Sequence, residues 1–406
     1  MSEQTESTKT DPSQEHRFQT GNVLLITLSH LLNDTYAAFV APLLPLLIRK
    51  VGLSYFQAGT LTAGIRIPSL LNPVIGMVAD RVELRYFIIL TPALTGVMLS
   101  VLGAAPSYPI LLLLTLAAGV TSTCYHVTGP VMMRHLAGKE VGRGMSFFML
   151  GGDVAATIGP LVILGAVSLW GLEHTYWLIP GGWLAALFMH IRFKRIHIQT
   201  QITGPAHSQS LWQTSRALFP LFLSLTGTYC AIACVEATMT AFLPTYLTAK
   251  GVDVWTAGAS LSLLQFGGLV GSMLAGPFSD RFSRKGVLLI ILACLPFMMW
   301  IFIISQGMLL IPALVLVGMS LFGLRPVLLA IVHETNSAHP AYVNGMYMMI
   351  NFVTNSVMLI IMGMLSDRVG LEATYRIAAT LAFGAIPCAL FLPSKTASSV
   401  SARNAK

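Results

Sequence analysis

Asp34, Arg66, Asp153, Glu236 and Arg325, together with His126, stand inside stretches apolar enough to cross a bilayer. Charge is expensive at that depth, so such residues pair with one another, line a wet cavity or carry ions. Asp34 follows His30 by four residues, one turn of a helix, with Asn33 beside it. A carboxyl group so placed can change protonation within the physiological range, which is the chemistry of a proton-coupled carrier. An ion pair between Asp34 and Arg66 on the next helix is a second reading, compatible with the first if protonation breaks the pair. Glu236 and Arg325 repeat the logic later in the chain, each able to hold the other until a proton or a charged substrate intervenes. Proton coupling is therefore assigned to Asp34, His30 and Glu236.

The remaining polar groups are read as a substrate cavity. His126 lies in "CYHVTGP", where Gly129 and Pro130 disturb helix geometry, and Arg325 precedes Pro326, whose ring distorts the turn beside the charge. Asp153 lies among small residues in "LGGDVAATIGP". Tyr347, Asn351 and Asn355 recur every four residues and place a polar stripe on one helix face. With Arg66, these residues are expected to line the site, and the cationic groups among them point to an anionic small molecule. A hydrogen-bonded His126 and a purely structural Glu236–Arg325 bridge are the simpler alternatives.

Membrane-spanning helices must position these groups. The 406 residues are 55% hydrophobic and only 10% charged, against about 25% in soluble domains. Runs such as "YFIILTPALTGVMLSVLGAA" have the roughly 20 residues that a bilayer requires. Twelve spans are expected, at about 21–48, 55–79, 86–105, 108–136, 143–170, 174–193, 217–248, 255–279, 286–305, 307–333, 342–366 and 372–393. The polar residues 1–20 lack the apolar segment of a cleavable signal and are read as a disordered cytoplasmic tail, with a second tail at 394–406. A polar linker at 195–216 separates an N-terminal six-helix bundle, 21–194, from a C-terminal one, 217–393. Seventeen of the 24 Lys and Arg residues fall on the side of the two tails, and five on the other. That bias places both termini in the cytoplasm. The net charge of +8 then reflects topology and contact with anionic lipid rather than nucleic acid. The five cysteines lie in apolar spans and imply neither disulfides nor metal spacing. Nucleophile elbows, Walker motifs and HExxH sites are missing, so an enzyme is not expected, and neither a cofactor nor ATP as the energy source.

The halves resemble each other. "GMVADRVELR" from Gly76 and "GPFSDRFSRK" from Gly276 share Gly, Asp, Arg and a terminal base at an offset of 200 residues. Around them "AFVAPLLPLLIRKVGLSYFQAGTL" from Ala38 answers "AFLPTYLTAKGVDVWTAGASL" from Ala241. A duplicated six-helix unit points to a transporter whose halves rock about a midplane site. Asp80 would end a helix, where a carboxylate opposes the helix dipole unless compensated. Arg81, Arg85 and a neighbouring helix N-terminus could compensate it, and Gly76 permits close approach. Gly276, Asp280, Arg281 and Lys285 form the second copy. Such contacts would latch the halves only while the cytoplasmic side is closed.

Twelve spans, a central loop and the G-x-x-x-D-R-x-x-x-[RK] motif resemble the major facilitator superfamily over nearly the whole chain. Glu83 and Ser283 stand where the family usually has Gly. "LSHLLND", "YHVTGPVMMRHLAG" and "FMLGGDVAATIGPLV" resemble the fosmidomycin resistance protein group of drug exporters. The second of these departs from the group after His126. The resemblance implies a monomeric secondary transporter of the bacterial cytoplasmic (inner) membrane, an efflux antiporter tied to antibiotic resistance. It would exchange protons for a small organic compound by alternating access, and the Gly159–Pro160 bend favours export. Proton-coupled uptake of a nutrient or metal chelate is the alternative, with a membrane receptor or scaffold behind it.

Overall fold

The computed structural model describes residues 18–72, 75, 84–193, 211–335, 337 and 340–392. They form an all-helical protein with no strand among them. Among the described residues, ten helical stretches are long and apolar enough to cross a membrane. The first is built from α1 (Thr20–Ala37) and α2 (Val40–Val51), followed by α3 (Tyr55–Arg66). Then come α4 (Leu84–Ser100), α5 (Tyr108–Ala137), α6 (Val141–Trp170) and α7 (Ile179–Phe193). A short α8 (Leu211–Ala217) precedes α9 (Phe219–Ala237), α10 (Leu243–Ala249), α11 (Val254–Arg281) and α12 (Arg284–Ile304). The chain continues through α13 (Leu310–His333), α14 (Pro340–Val369), α15 (Leu371–Leu381) and α16 (Ala385–Leu390).

The second and sixth expected spans are the ones that do not reach spanning length among the described residues. Helix α3 passes into a 3-10 stretch, Ile67–Leu71, where Pro68 has no N–H to continue the α-helical ladder. Before α7 the chain turns at Gly171, with φ of 82°, and runs as a 3-10 stretch, Leu172–Leu178, until Pro180 starts the helix. Helix α8 occupies the end of the expected linker, whose residues 195–210 lie outside the described part, as do residues 1–17, 194 and 393 and the expected tail at 394–406.

Breaks occur at matching places in the two halves. Helix α1 is interrupted at Ala38–Phe39 before α2, and α9 passes through a π-helical turn, Thr238–Phe242, before α10. The strings that start at Ala38 and Ala241 align these breaks, and a discontinuous helix in each repeat is where carriers place their binding sites. Asp34 precedes one break and Glu236 the other.

Within the C-terminal half α11 lies along α13 so closely that a Cβ on Gly318 would meet the Leu264 carbonyl oxygen at 2.0 Å. The halves meet through α3 against α14 and α6 against α11. Their junction includes the end of the bundle that carries the turns at Gly52, Gly171, Gly251 and Gly370, all with positive φ. We refer to this as the glycine-turn end; the basic residues predict it to face outward.

Candidate functional site

Two charged clusters face the interior, one mainly in each half. In the N-terminal half, His30 Nε2 lies 3.2 Å from Asp34 Oδ2 on the same turn of α1. His126 Nε2 reaches Asp34 Oδ1 from α5 at 3.4 Å. The far side of each ring is tied to backbone. His30 Nδ1 donates to the Phe148 carbonyl at 2.7 Å and His126 Nδ1 to the Ser122 carbonyl at 2.8 Å. The His30 ring also stacks 3.9 Å from Phe148, with the Tyr125 ring 5.7 Å away. Asn33 Nδ2 donates to Asp34 Oδ1 at 2.9 Å and steadies the carboxylate. Gly152 faces the His30 ring and the Asp34 carboxylate, which places Asp153 on the adjoining turn of α6.

In the second cluster Glu236 is buried and meets two guanidinium groups. Arg325 Nη2 donates to Glu236 Oε1 at 2.7 Å, and Arg66 Nη1 stands 3.7 Å from the same oxygen. Arg66 belongs to the other half. Its sequence neighbour Asp34 is not its partner: α3 packs along α14, and Arg66 instead reaches Asn355 Oδ1 on that helix at 2.7 Å. The expected stripe on α14 does line this cluster. Tyr229 donates to the Tyr347 hydroxyl at 2.7 Å, Tyr347 donates to the Arg325 carbonyl at 3.4 Å, and Asn351 lies against Tyr229. Arg325 packs over the Phe322 ring, 4.5 Å from its centre. Two fixed cations against one carboxylate leave this cluster with an excess of positive charge.

The expected latch residues Gly76, Asp80 and Arg81 lie outside the described part, and Arg85 donates to the adjacent Tyr86 hydroxyl at 3.3 Å. The second copy is in view. Asp280 pairs with Arg284 at 2.6 Å, and Arg284 also bonds Glu334 just beyond α13. Lys285 donates to the Leu390 carbonyl at 2.6 Å, and Arg281 packs over Phe282. These partners all belong to the C-terminal half.

A third copy of the motif, absent from the sequence expectations, joins the halves. "GMLSDR" runs from Gly363 to Arg368 at the end of α14. The Asp367 carboxylate accepts the Tyr55 and Phe56 amides, at 2.7 and 2.8 Å, from the first turn of α3. Ser54 Oγ accepts the next amide, Gln57, at 3.2 Å, so three otherwise orphaned donors of the helix are satisfied. Gly363 makes the approach possible, since a Cβ there would lie 2.5 Å from the Tyr55 carbonyl oxygen. The signal was the string itself, at a place the 200-residue offset does not reach.

A sequence model of the Major Facilitator Superfamily matches residues 26–353. The chain belongs to that superfamily. The Fosmidomycin resistance protein of Escherichia coli (strain K12) is 24% identical over 370 residues, 88% of this chain and 89% of that protein. A crystal structure of the D-xylose-proton symporter superposes with a TM-score of 0.74 at 14% identity, covering 93% of this chain and 99% of the other. A bacterial homologue of the human lysosomal transporter Spinster gives 0.71 at 17% identity, over 95% of each chain. The fold is therefore that of a membrane transporter, and the second charged cluster joins its two halves.

Proposed function

We propose that this carrier is a proton-coupled exporter of a small organic anion in the bacterial cytoplasmic membrane, acting as a monomer with both termini inside. The observation that carries the reading is the contrast between the two carboxylates. Glu236 faces guanidinium groups that keep their charge, whereas Asp34 faces two imidazoles that can gain or lose a proton. The N-terminal cluster is thus suited to moving protons. The C-terminal cluster, with its surplus cation beside Tyr347, Asn351 and Asn355, is suited to an anion. His126, within the first cluster, and Asp153, which adjoins it, lie within reach of a substrate held between the two clusters. Export is favoured by the name of the Escherichia coli relative and by the Gly159–Pro160 bend in α6. With the glycine-turn end outward, closure there by Asp367 supports reading this as the inward-facing member of an alternating pair. The first two motif copies, Gly76 to Arg85 and Gly276 to Lys285, are its cytoplasmic counterparts.

The test is a paired assay on one preparation of proteoliposomes with a panel of radiolabelled organic anions. Asp34→Asn should abolish accumulation into vesicles acidified inside while keeping exchange at equal pH. Accumulation that persists in Asp34→Asn would remove the carboxylate from coupling, and equal loss of both fluxes would move it to substrate binding or structure.

A further inference from the structure

The geometry of the N-terminal cluster poses a chemical problem that its hydrogen bonds do not resolve. Carbonyl oxygens can only accept, so the contacts to Phe148 and Ser122 place a proton on Nδ1 of both His30 and His126. In the neutral rings each Nε2 therefore presents a lone pair. These lone pairs face each other at 3.4 Å, and both face the Asp34 carboxylate, at 3.2 and 3.4 Å. Three electron-rich groups converge on one point. A proton on one ring relieves part of this triangle; a divalent cation at its centre relieves all of it.

We propose that His30, Asp34 and His126 form a binding site for a divalent transition-metal ion of the zinc type. The spacing fits the ion. Tetrahedral bonds of about 2.0–2.2 Å separate ligands by about 3.3–3.6 Å, close to the three separations in the triangle, and the carboxylate needs only a small turn to present one oxygen. The donor set fits as well: two imidazole nitrogens and one carboxylate favour zinc, cobalt or nickel over magnesium or calcium. The surroundings are those of a metal site, because each ligating ring donates its other N–H to a carbonyl, which fixes tautomer and orientation. Stacking on Phe148 and Tyr125 holds His30 in place, and Asn33 holds Asp34.

Accessibility gives the site a direction. The His30 side chain is 5% exposed and that of His126 44%. The triangle is closed behind His30 and open toward the cavity beside His126, which leaves a fourth coordination position for water. Three protein ligands with an open position mark an exchangeable or reactive ion rather than a structural one. The inference concerns the cluster assigned above to proton coupling and rests on its place in the cavity, but its test requires no flux.

The probe is Co²⁺, titrated into detergent-solubilised protein purified without a polyhistidine tag. One equivalent should develop the intense visible bands of a four- or five-coordinate ion, and one equivalent of Zn²⁺ should remove them. Asp34→Asn and His126→Gln should each weaken Co²⁺ binding at least about tenfold, the lower bound for disturbing even an outer-shell partner. His174→Gln, on a distant turn, should leave it unchanged. In a background lacking the five native cysteines, His126→Cys should retain binding and add a thiolate-to-cobalt charge-transfer band, a gain that loss of the site could not produce. Only the weak bands of octahedral Co²⁺, or bands that survive unchanged in Asp34→Asn and His126→Gln and gain nothing in His126→Cys, would overturn the site. Failure of pH-driven transport with cobalt binding intact would count against the coupling reading alone.

Discussion

Removing the Asp367 carboxylate should open the glycine-turn end. Its two oxygens take the Tyr55 and Phe56 amides at 2.7 and 2.8 Å, across the junction of the halves. Asp367 is exposed, so the full strength of charge-assisted hydrogen bonds does not apply. Losing a helix cap costs about 1 kcal/mol, and the helix dipole contributes about 0.3–1 kcal/mol more at an exposed terminus. For Asp367→Ala the sum is about 1.3–2 kcal/mol against the closed state, a factor of about 10–30. A protein about 99% closed would fall to about 90% or lower. Nitroxides at Ser107 and Gln306, in turns of opposite halves, would report this by pulsed electron resonance in a background lacking the native cysteines. Asp367→Asn, which keeps one acceptor, should shift the populations by about half as much in free energy. Gly363→Val should exceed both, because its side chain would meet the Tyr55 backbone and force α3 from α14. Distances unchanged in all three folded variants would refute the gate.

The remaining predictions concern other charged contacts. Neutralising Glu236 leaves Arg66 and Arg325 repelling each other, so Glu236→Gln should lower stability by about 1–3 kcal/mol, less than for a fully buried pair because Arg325 is 48% exposed. Adding Arg66→Gln should restore part of that, and a double variant melting no higher than the single one in detergent would refute the shared-carboxylate account. At the glycine-turn end, Lys50 Nζ donates to Glu173 Oε1 at 2.8 Å and holds that carboxyl below its ordinary range. The Glu173 pKa is depressed, so its contribution is present above the ordinary carboxylate pKa and lost as pH falls through the lowered value. Carboxyl carbon NMR should place its midpoint below about 4.3, rising toward that value in Lys50→Met. Equal midpoints would show that the pair does not hold in solution.

What the sequence made legible was local. One helical turn sets His30 against Asp34, and four-residue spacing sets Tyr347, Asn351 and Asn355 on one face, so both arrangements follow from α-helical period alone. The alignment of the two halves was legible, but the breaks after Ala37 and at Thr238–Phe242 were not, since both places were read inside continuous spans. The partners supplied by packing were not legible. Arg66 lies on the helix after Asp34, and a pair between them was one reading, yet the approach of α3 to α14 carries Arg66 to Glu236 and Asn355. His126 was a lone histidine in sequence because nothing in its spacing records that α5 brings it against α1. The 3-10 stretches inside the second expected span and at the start of the sixth have a local cause, Pro68 in one case and the Gly171 turn with Pro180 in the other.

The third motif copy changes how the repetition is understood. An Asp at the C-terminal end of a helix opposes the dipole of its own helix, and the N-terminus of another helix can compensate it. Asp367 has found that partner across the junction, in the first turn of α3. Asp280 has not: its partner is Arg284 in its own half. If the copies are equivalent devices at opposite ends, rocking that separates α14 from α3 leaves Asp367 uncompensated while bringing another motif aspartate to a helix N-terminus. Each latch then offsets the opening of the other, so the two end states can lie close in energy although each is held by specific bonds. A carrier that must pass repeatedly between states needs that balance, and a motif written at both ends of the bundle is a simple way to obtain it.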